Sequence, residues 1–174
     1  MTNLFLIRRL SILMIVGGWG WWGRNGRGKT TLLRILQGRI DAHIPVQFNK
    51  RFVYFPQAVA EPSELTYDVL TVLADFEDWE LERELSLLKV DPTALWRPFA
   101  SLSGGEQTKC LLALLFLDQA NFSLIDEPTN HLDLPSRELV ATYLQRKSGF
   151  IVVSHDRTFI EKVADKIVEL NMVK

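Results

Sequence analysis

Cysteine is almost missing from this chain. Cys110 stands alone among 174 residues, so a disulfide framework is excluded within it and a reducing compartment is expected. Long apolar runs are missing too. No stretch reaches the roughly 18 continuous apolar residues that a membrane span needs, so no span is expected. Arg8-Arg9 followed by Leu10 to Val16 resembles the start of a secretory leader. The small-residue cleavage pattern is lacking, however, and a Gly-rich loop follows almost at once, so export is not expected. Internal repeats and low-complexity segments are also absent. Acids are scarce in one region only. Residues 1–51 hold nine lysines and arginines against Asp41, a net +8, while the remainder carries −9, which leaves −1 overall. A basic first third suits a pocket for an anionic ligand, and an acidic middle suits a solvated helical surface.

What is present begins with Gly23-Arg24-Asn25-Gly26-Arg27-Gly28-Lys29-Thr30, a full match to G-x-x-x-x-G-K-[ST]. Glycines let backbone N–H groups close around phosphate oxygens, and the loop then feeds a helix N-terminus that favours an anion. Lys29 is expected on the β- and γ-phosphates, with the Thr30 hydroxyl on Mg²⁺. Thr31 to Gln37 carries apolar residues at helical spacing, with Gly38 at the C-cap. The strand entering the loop is expected within Ile12 to Val16 or Gly20 to Trp22. Trp19, Trp21 and Trp22 must then pack against something or remain a liability.

Further on, Arg51 to Phe55 reads as a buried strand stopped by Pro56 and followed by Gln57. Thr66 is the expected N-cap of a helix with Val69, Val72, Leu73 and Phe76 on one face. A second helix, Trp79 to Leu88, has Leu81, Leu85 and Leu88 on one side. Ten acids lie between Glu61 and Asp91, most of them expected to face water. Ser103-Gly104-Gly105 opens a long helix, apolar nearly all round through Leu117, that should bury Cys110. Phe122 to Ile125 is the next strand, ending at Asp126-Glu127-Pro128. Asp133 with Pro135 starts a helix through Gln145. Phe150 to Val153 forms a strand ending at Ser154-His155-Asp156, and a short helix and the strand Ile167 to Leu170 finish the chain. Strands alternating with helices imply an α/β fold with a parallel sheet and the chemistry at the strands' carboxyl ends. Gly23, Gln57, Asp126 and His155 all fall there.

Asp126 is placed to hold Mg²⁺, and Glu127 to polarise an attacking water as general base. Ser103-Gly104-Gly105-Glu106 opens its helix as a second anion site built from bare N–H groups and a helix dipole. His155 is expected to sense the γ-phosphate or the water, and Gln57 to ligate Mg²⁺ or water. His43 and His131 carry no assigned chemistry.

These pieces in this order resemble an ATP-binding cassette (ABC) nucleotide-binding domain from about Gly20 to Leu170. Walker A, Q-loop, signature, Walker B, D-loop and switch histidine match the Gly23 loop, Gln57, Leu102 to Glu106, Asp126-Glu127, Asp133 and His155. The run Asp126-Glu127-Pro128-Thr129-Asn130-His131-Leu132-Asp133 is similar to that of the ABC-F class, most of all its ribosome-protection proteins. The resemblance implies a P-loop NTPase sheet flanked by helices, with a small helical insert at about 58–118. It implies ATP held by Gly23, Asn25, Gly26, Arg27, Gly28, Lys29, Thr30 and Thr31. Ser103, Gly104, Gly105, Glu106 and Asp133 would complete that site. Mg²⁺ would lie on Thr30, Gln57 and Asp126, with Glu127, His155 and Gln57 catalytic. It also implies a cytoplasmic ATPase that acts on the ribosome and dislodges or excludes an antibiotic. Two cassettes sandwich ATP in that family. Here one cassette without the family's helical linker leads to the expectation of a truncated domain, partnered by a second copy or a missing half. Residues 1–22 leave no room for the β-rich subdomain that carries the family's adenine-stacking aromatic. The alternatives are the ATPase subunit of a membrane transporter and an inactive fragment.

Overall fold

The computed structural model describes residues 17–22, 51–118 and 120–169. The Gly-rich loop and the helix expected after it lie outside the described residues. Five strands form one sheet: β1 Gly18–Trp22, β2 Arg51–Phe55, β3 Asn121–Asp126, β4 Phe150–Ser154 and β5 Lys166–Glu169. Their order is β2-β3-β4-β1-β5 and every pairing is parallel. The α-helices are α1 Thr66–Leu73, α2 Asp78–Leu87, α3 Gly104–Leu114, α4 Leu134–Leu144 and α5 Arg157–Val163, with 3₁₀ turns at Pro92–Trp96 and Phe99–Ser101.

Gly18–Trp22 settles the choice between the two approach strands, and its odd composition has a packing reason. Side chains alternate across a strand. A Cβ on Gly20 would lie 2.5 Å from Ile160 Cγ2 and 2.7 Å from Ala164 Cβ, so only glycine lets α5 close onto β1 there. Trp19 and Trp21 occupy the alternate positions and are buried. Every residue of β4 is buried, as expected of a central parallel strand covered on both faces.

Between β2 and β3 the helices depart from the expected pattern in three places. Helix α1 begins at Thr66 itself, after Leu65 at the N-cap position. The Thr66 hydroxyl is buried and donates to the Arg97 carbonyl at 2.9 Å, so a long-range contact outcompetes capping. Val72 is 84% exposed, because the buried face centres on Thr66, Val69 and Leu70, over 100° away around the helix. Most of the ten acids do face water, and Glu84 is the exception, buried at 1% exposure. Lys147 and Tyr143 across the domain reach it, at 2.5 and 2.6 Å. Burial alone would raise its carboxyl, but the hydrogen bonds from Lys147 and Tyr143, the Lys147 charge and Arg83 outweigh that and hold it below the ordinary range. Leu70, Leu81, Leu85, Leu88, Leu112 and Phe99 join Phe55 and Phe150 in one apolar core, which unites these helices with the sheet.

Cys110 is buried as expected, and burial pushes its thiol up to about 12. No helix among the described residues is long and apolar enough to cross a membrane.

Candidate active site

Strand order brings the carboxyl ends together. β4 lies between β1 and β3, so the end of β3 stands two strand spacings, roughly 10 Å, from the end of β1. The Gly-rich loop leaves β1 at that end.

Asp126 closes β3, and the Tyr54 hydroxyl on neighbouring β2 donates to its Oδ2 at 2.7 Å. The next residue leaves the strand abruptly. Glu127 has φ +49°, a left-handed conformation that costs a non-glycine residue about 1–2 kcal/mol. Its N–H still extends the ladder to the Val153 carbonyl at 2.9 Å. Its carboxylate reaches the end of β4, where Oε2 accepts from the Ser154 hydroxyl at 3.1 Å and the His155 N–H at 3.3 Å. The third contact to Oε2 is His155 Nδ1 at 2.9 Å. When Glu127 is a carboxylate it can only accept, and Nδ1–H is then the donor in this contact. A carboxylate and an imidazole in contact at a strand end can share the proton of a water or of a phosphate. Asp126, Glu127 and His155 are thus assembled from two adjacent strands.

Gln57 contributes from beyond β2. Its Oε1 is buried and has no hydrogen-bond partner among the described residues. A buried oxygen without a donor suits a hard cation, and with the Asp126 carboxylate it fits the oxygen ligands Mg²⁺ takes. The third expected ligand, Thr30, lies outside the described residues, as do Gly23, Asn25, Gly26, Arg27, Gly28, Lys29 and Thr31.

The second expected anion site has a more particular geometry. Ser103 is the N-cap of α3 and forms a capping box with Glu106. The Ser103 N–H and hydroxyl donate to Glu106 Oε2 at 2.8 and 2.7 Å, and the Glu106 N–H donates back to Oγ at 3.2 Å. The Ser103 hydroxyl and N–H hold the Glu106 carboxyl below its usual range. The helix start therefore carries its own carboxylate. Gly104 has a packing role as well: a Cβ there would lie 3.2 Å from His131 Cβ, whereas one on Gly105 would make only an ordinary contact, 3.5 Å from the His131 carbonyl. The Glu127–Asp133 loop is thereby seated on the start of α3. Gln107 ties down the turn before it, with Nε2 donating to the Phe99 and Leu102 carbonyls at 3.0 and 3.2 Å. Asp133 caps α4 by accepting from the Ser136 N–H at 2.9 Å, and bonds from Ser136 keep its carboxyl low.

Sequence reasoning passed over three residues here. Tyr54 reads only as an apolar strand position, Ser154 only as the end of a strand, and His131 only as a loop histidine. The alternation along β2 was the one available signal, since it sets Tyr54 apart from Val53 and Phe55.

A family model described as ABC transporter matches residues 17–130. The chain is 39% identical over 162 residues to YdiF of Bacillus subtilis (strain 168), covering 86% of this chain and 24% of that protein. It is 32% identical over 153 residues to the mouse (Mus musculus) ATP-binding cassette sub-family F member 3, covering 83% and 22%. It thus spans about a quarter of the length of these relatives. Among solved structures, the archaeal ribosome recycling factor aABCE1 in complex with the ribosomal stalk protein aP1 superposes with a TM-score of 0.73 at 24% identity, covering 88% of this chain and 35% of that one. The dimeric bacterial ABC transporter cassette MJ0796 gives 0.67 at 18% identity, covering 88% and 81%.

Proposed function

The chain belongs to the ABC transporter family, as an ATPase cassette of the ABC-F type, and we propose that it binds ATP with Mg²⁺ beyond β1 and hydrolyses it there. The observation that carries this reading is the Glu127–His155 contact, which joins the ends of β3 and β4 beside the strand that enters the Gly-rich loop. In this reading the backbone of Gly23, Asn25, Gly26, Arg27 and Gly28 cradles phosphate oxygens, with Lys29 and Thr31 beside them. Thr30, Gln57 and Asp126 hold Mg²⁺, which supplies neutralisation of phosphate charge when bound. Glu127 takes a proton from the attacking water, and His155 holds the γ-phosphate end. Tyr54 keeps Asp126 oriented.

The reading includes a second cassette. Ser103, Gly104, Gly105 and Glu106 face the nucleotide of a partner copy or half, with the Asp133 loop beside them, because one cassette alone leaves transition-state charge with donors on one side. Residues from about 58 to 118 form the helical subdomain that carries this signature. Mixing Lys29→Ala chains with Ser103→Arg chains tests the pairing. Each is inactive alone, and partial recovery is expected on mixing, since one composite site stays intact. No recovery, with activity independent of concentration, would refute a shared site.

The proposed place of action is the ribosome, in the cytoplasm, with displacement or exclusion of a bound antibiotic as the outcome. The ABC-F relatives and the Asp126–Asp133 run support this, and the fold neighbour aABCE1 is itself described as a ribosome recycling factor. ATP-loaded Glu127→Gln protein should sediment with ribosomes. Sedimentation unaffected by ATP would count against the idea, and capture of a membrane protein instead would favour a transporter subunit.

A further inference from the structure

We infer that Ser154 is the positioning residue for Glu127: the anchor that keeps the carboxylate at the end of β4 while His155 is free to turn away. The inference rests on the reading of Glu127 as general base. The Ser154 hydroxyl has one hydrogen, and its neighbours fix where that hydrogen goes. Glu127 Oε2, 3.1 Å away, is an acceptor only when ionised, and the Asp156 N–H, also 3.1 Å from Oγ, is a donor only. The hydroxyl must therefore accept from Asp156 and donate to Glu127. Asp156 is immobilised in turn, because its side chain caps α5 through the Phe159 N–H at 3.0 Å. A chain of one-way hydrogen bonds thus runs from α5 to the carboxylate.

Exposure separates the roles of the donors. Ser154 is fully buried, at 0% exposure, whereas the His155 side chain is 55% exposed. The imidazole can leave Oε2 by rotating into solvent or toward a phosphate. The Ser154 hydroxyl is enclosed, with Glu127 Oε2 as its acceptor. Once His155 departs, Ser154 and the His155 N–H are the two β4 donors still on Oε2. Glu127 needs such a hold, because its left-handed backbone favours relaxation back toward an ordinary conformation.

Ser154→Ala removes the donor, and Ser154→Thr keeps the hydroxyl. With ATP and Mg²⁺, Ser154→Ala should lose about 10- to 100-fold in kcat with KM changed less than about threefold, and Ser154→Thr should recover most of the loss. A parent-like kcat in Ser154→Ala, or a Thr variant as damaged as the Ala variant, would overturn the assignment. Amide hydrogen exchange provides a readout independent of turnover. In Ser154→Ala the His155 amide should exchange about 10-fold faster, while the Glu127 amide, bonded to Val153, stays protected. Unchanged exchange at His155 would overturn the positioning role. A parent chain that hydrolyses no ATP would instead refute the reading of Glu127 and leave the exchange test decisive for Ser154.

Discussion

Two glutamates sit at opposite ends of β4, and their surroundings differ in kind. Glu84, from α2, meets Lys147 just before the strand begins. It is 1% exposed, with Tyr143 and Lys147 on Oε2 and Arg83 on Oε1 at 3.1 Å. Glu127 meets Ser154 and His155 just after the strand ends. It is 17% exposed, and its imidazole partner is more than half in solvent. A buried carboxylate held on Oε2 by two largely enclosed partners, Tyr143 and Lys147, is part of the framework, and removing one member leaves an uncompensated charge. A partly open carboxylate with a movable partner is available to a substrate. Burial and partner mobility, more than residue type, divide structural from chemical acids in this domain.

The division predicts different losses at the two ends. The largest effect is expected at the open end, where His155→Ala should slow ATP turnover by about 10²- to 10³-fold and leave stability within about 0.5 kcal/mol of the parent. A large drop in melting temperature instead would make His155 part of the framework and break the comparison. Glu84→Gln should do the reverse, costing about 3 kcal/mol and roughly 6–12 °C in melting temperature, with turnover per folded molecule unchanged. Chemical denaturation alongside single-site kinetics separates the two.

The pH dependence sharpens the contrast. The Glu84 carboxyl is held below its ordinary 4.5, so its contribution is present above pH 4.5 and is lost as pH falls through the lower folded value. Burial, then the hydrogen bond to Glu84, push the Tyr143 phenol above its ordinary 10.0, so its contribution is present below pH 10 and lost on further rise. Stability measured across pH should plateau between those limits. Glu84→Gln should flatten the acid limb. An acid limb unchanged in that variant would mean that other carboxylates carry it. The smallest effect belongs to Gly104→Ala, which presses a Cβ to 3.2 Å from His131. Better helix propensity offsets the crowding, so stability should move by less than about 1 kcal/mol while turnover falls by less than about 10-fold.

The sheet was legible because its strands are short apolar runs cut off by Pro56, Pro128 and the Ser154-His155-Asp156 turn, and because parallel sheets gather chemistry at one edge. Asp126, Glu127 and His155 were legible for the same reason. The Gly-Trp alternation of β1 was not, since it makes sense only once α5 is known to close on Gly20. Most of the ten acids face water as expected, but which one is buried was not legible, because nothing local distinguishes Glu84 from the nine acids around it. Its partners lie 59 and 63 residues away. Val72 was misplaced because its three expected face-mates, Val69, Leu73 and Phe76, do pack on the core, and a short helix gives the period little length to resolve. The capping box at Ser103 was spelled out by Glu106 three residues on, yet the anion-site reading drew attention from it.

The central claim, that Glu127 serves chemistry and not nucleotide binding or folding, is tested most directly by one paired measurement on Glu127→Gln: ATP affinity at equilibrium and phosphate release in the same preparation. Affinity is expected within about threefold of the parent and phosphate release reduced about 10³-fold, because an amide cannot take the proton of water. Undiminished phosphate release, or ATP binding lost along with it, would contradict the assignment.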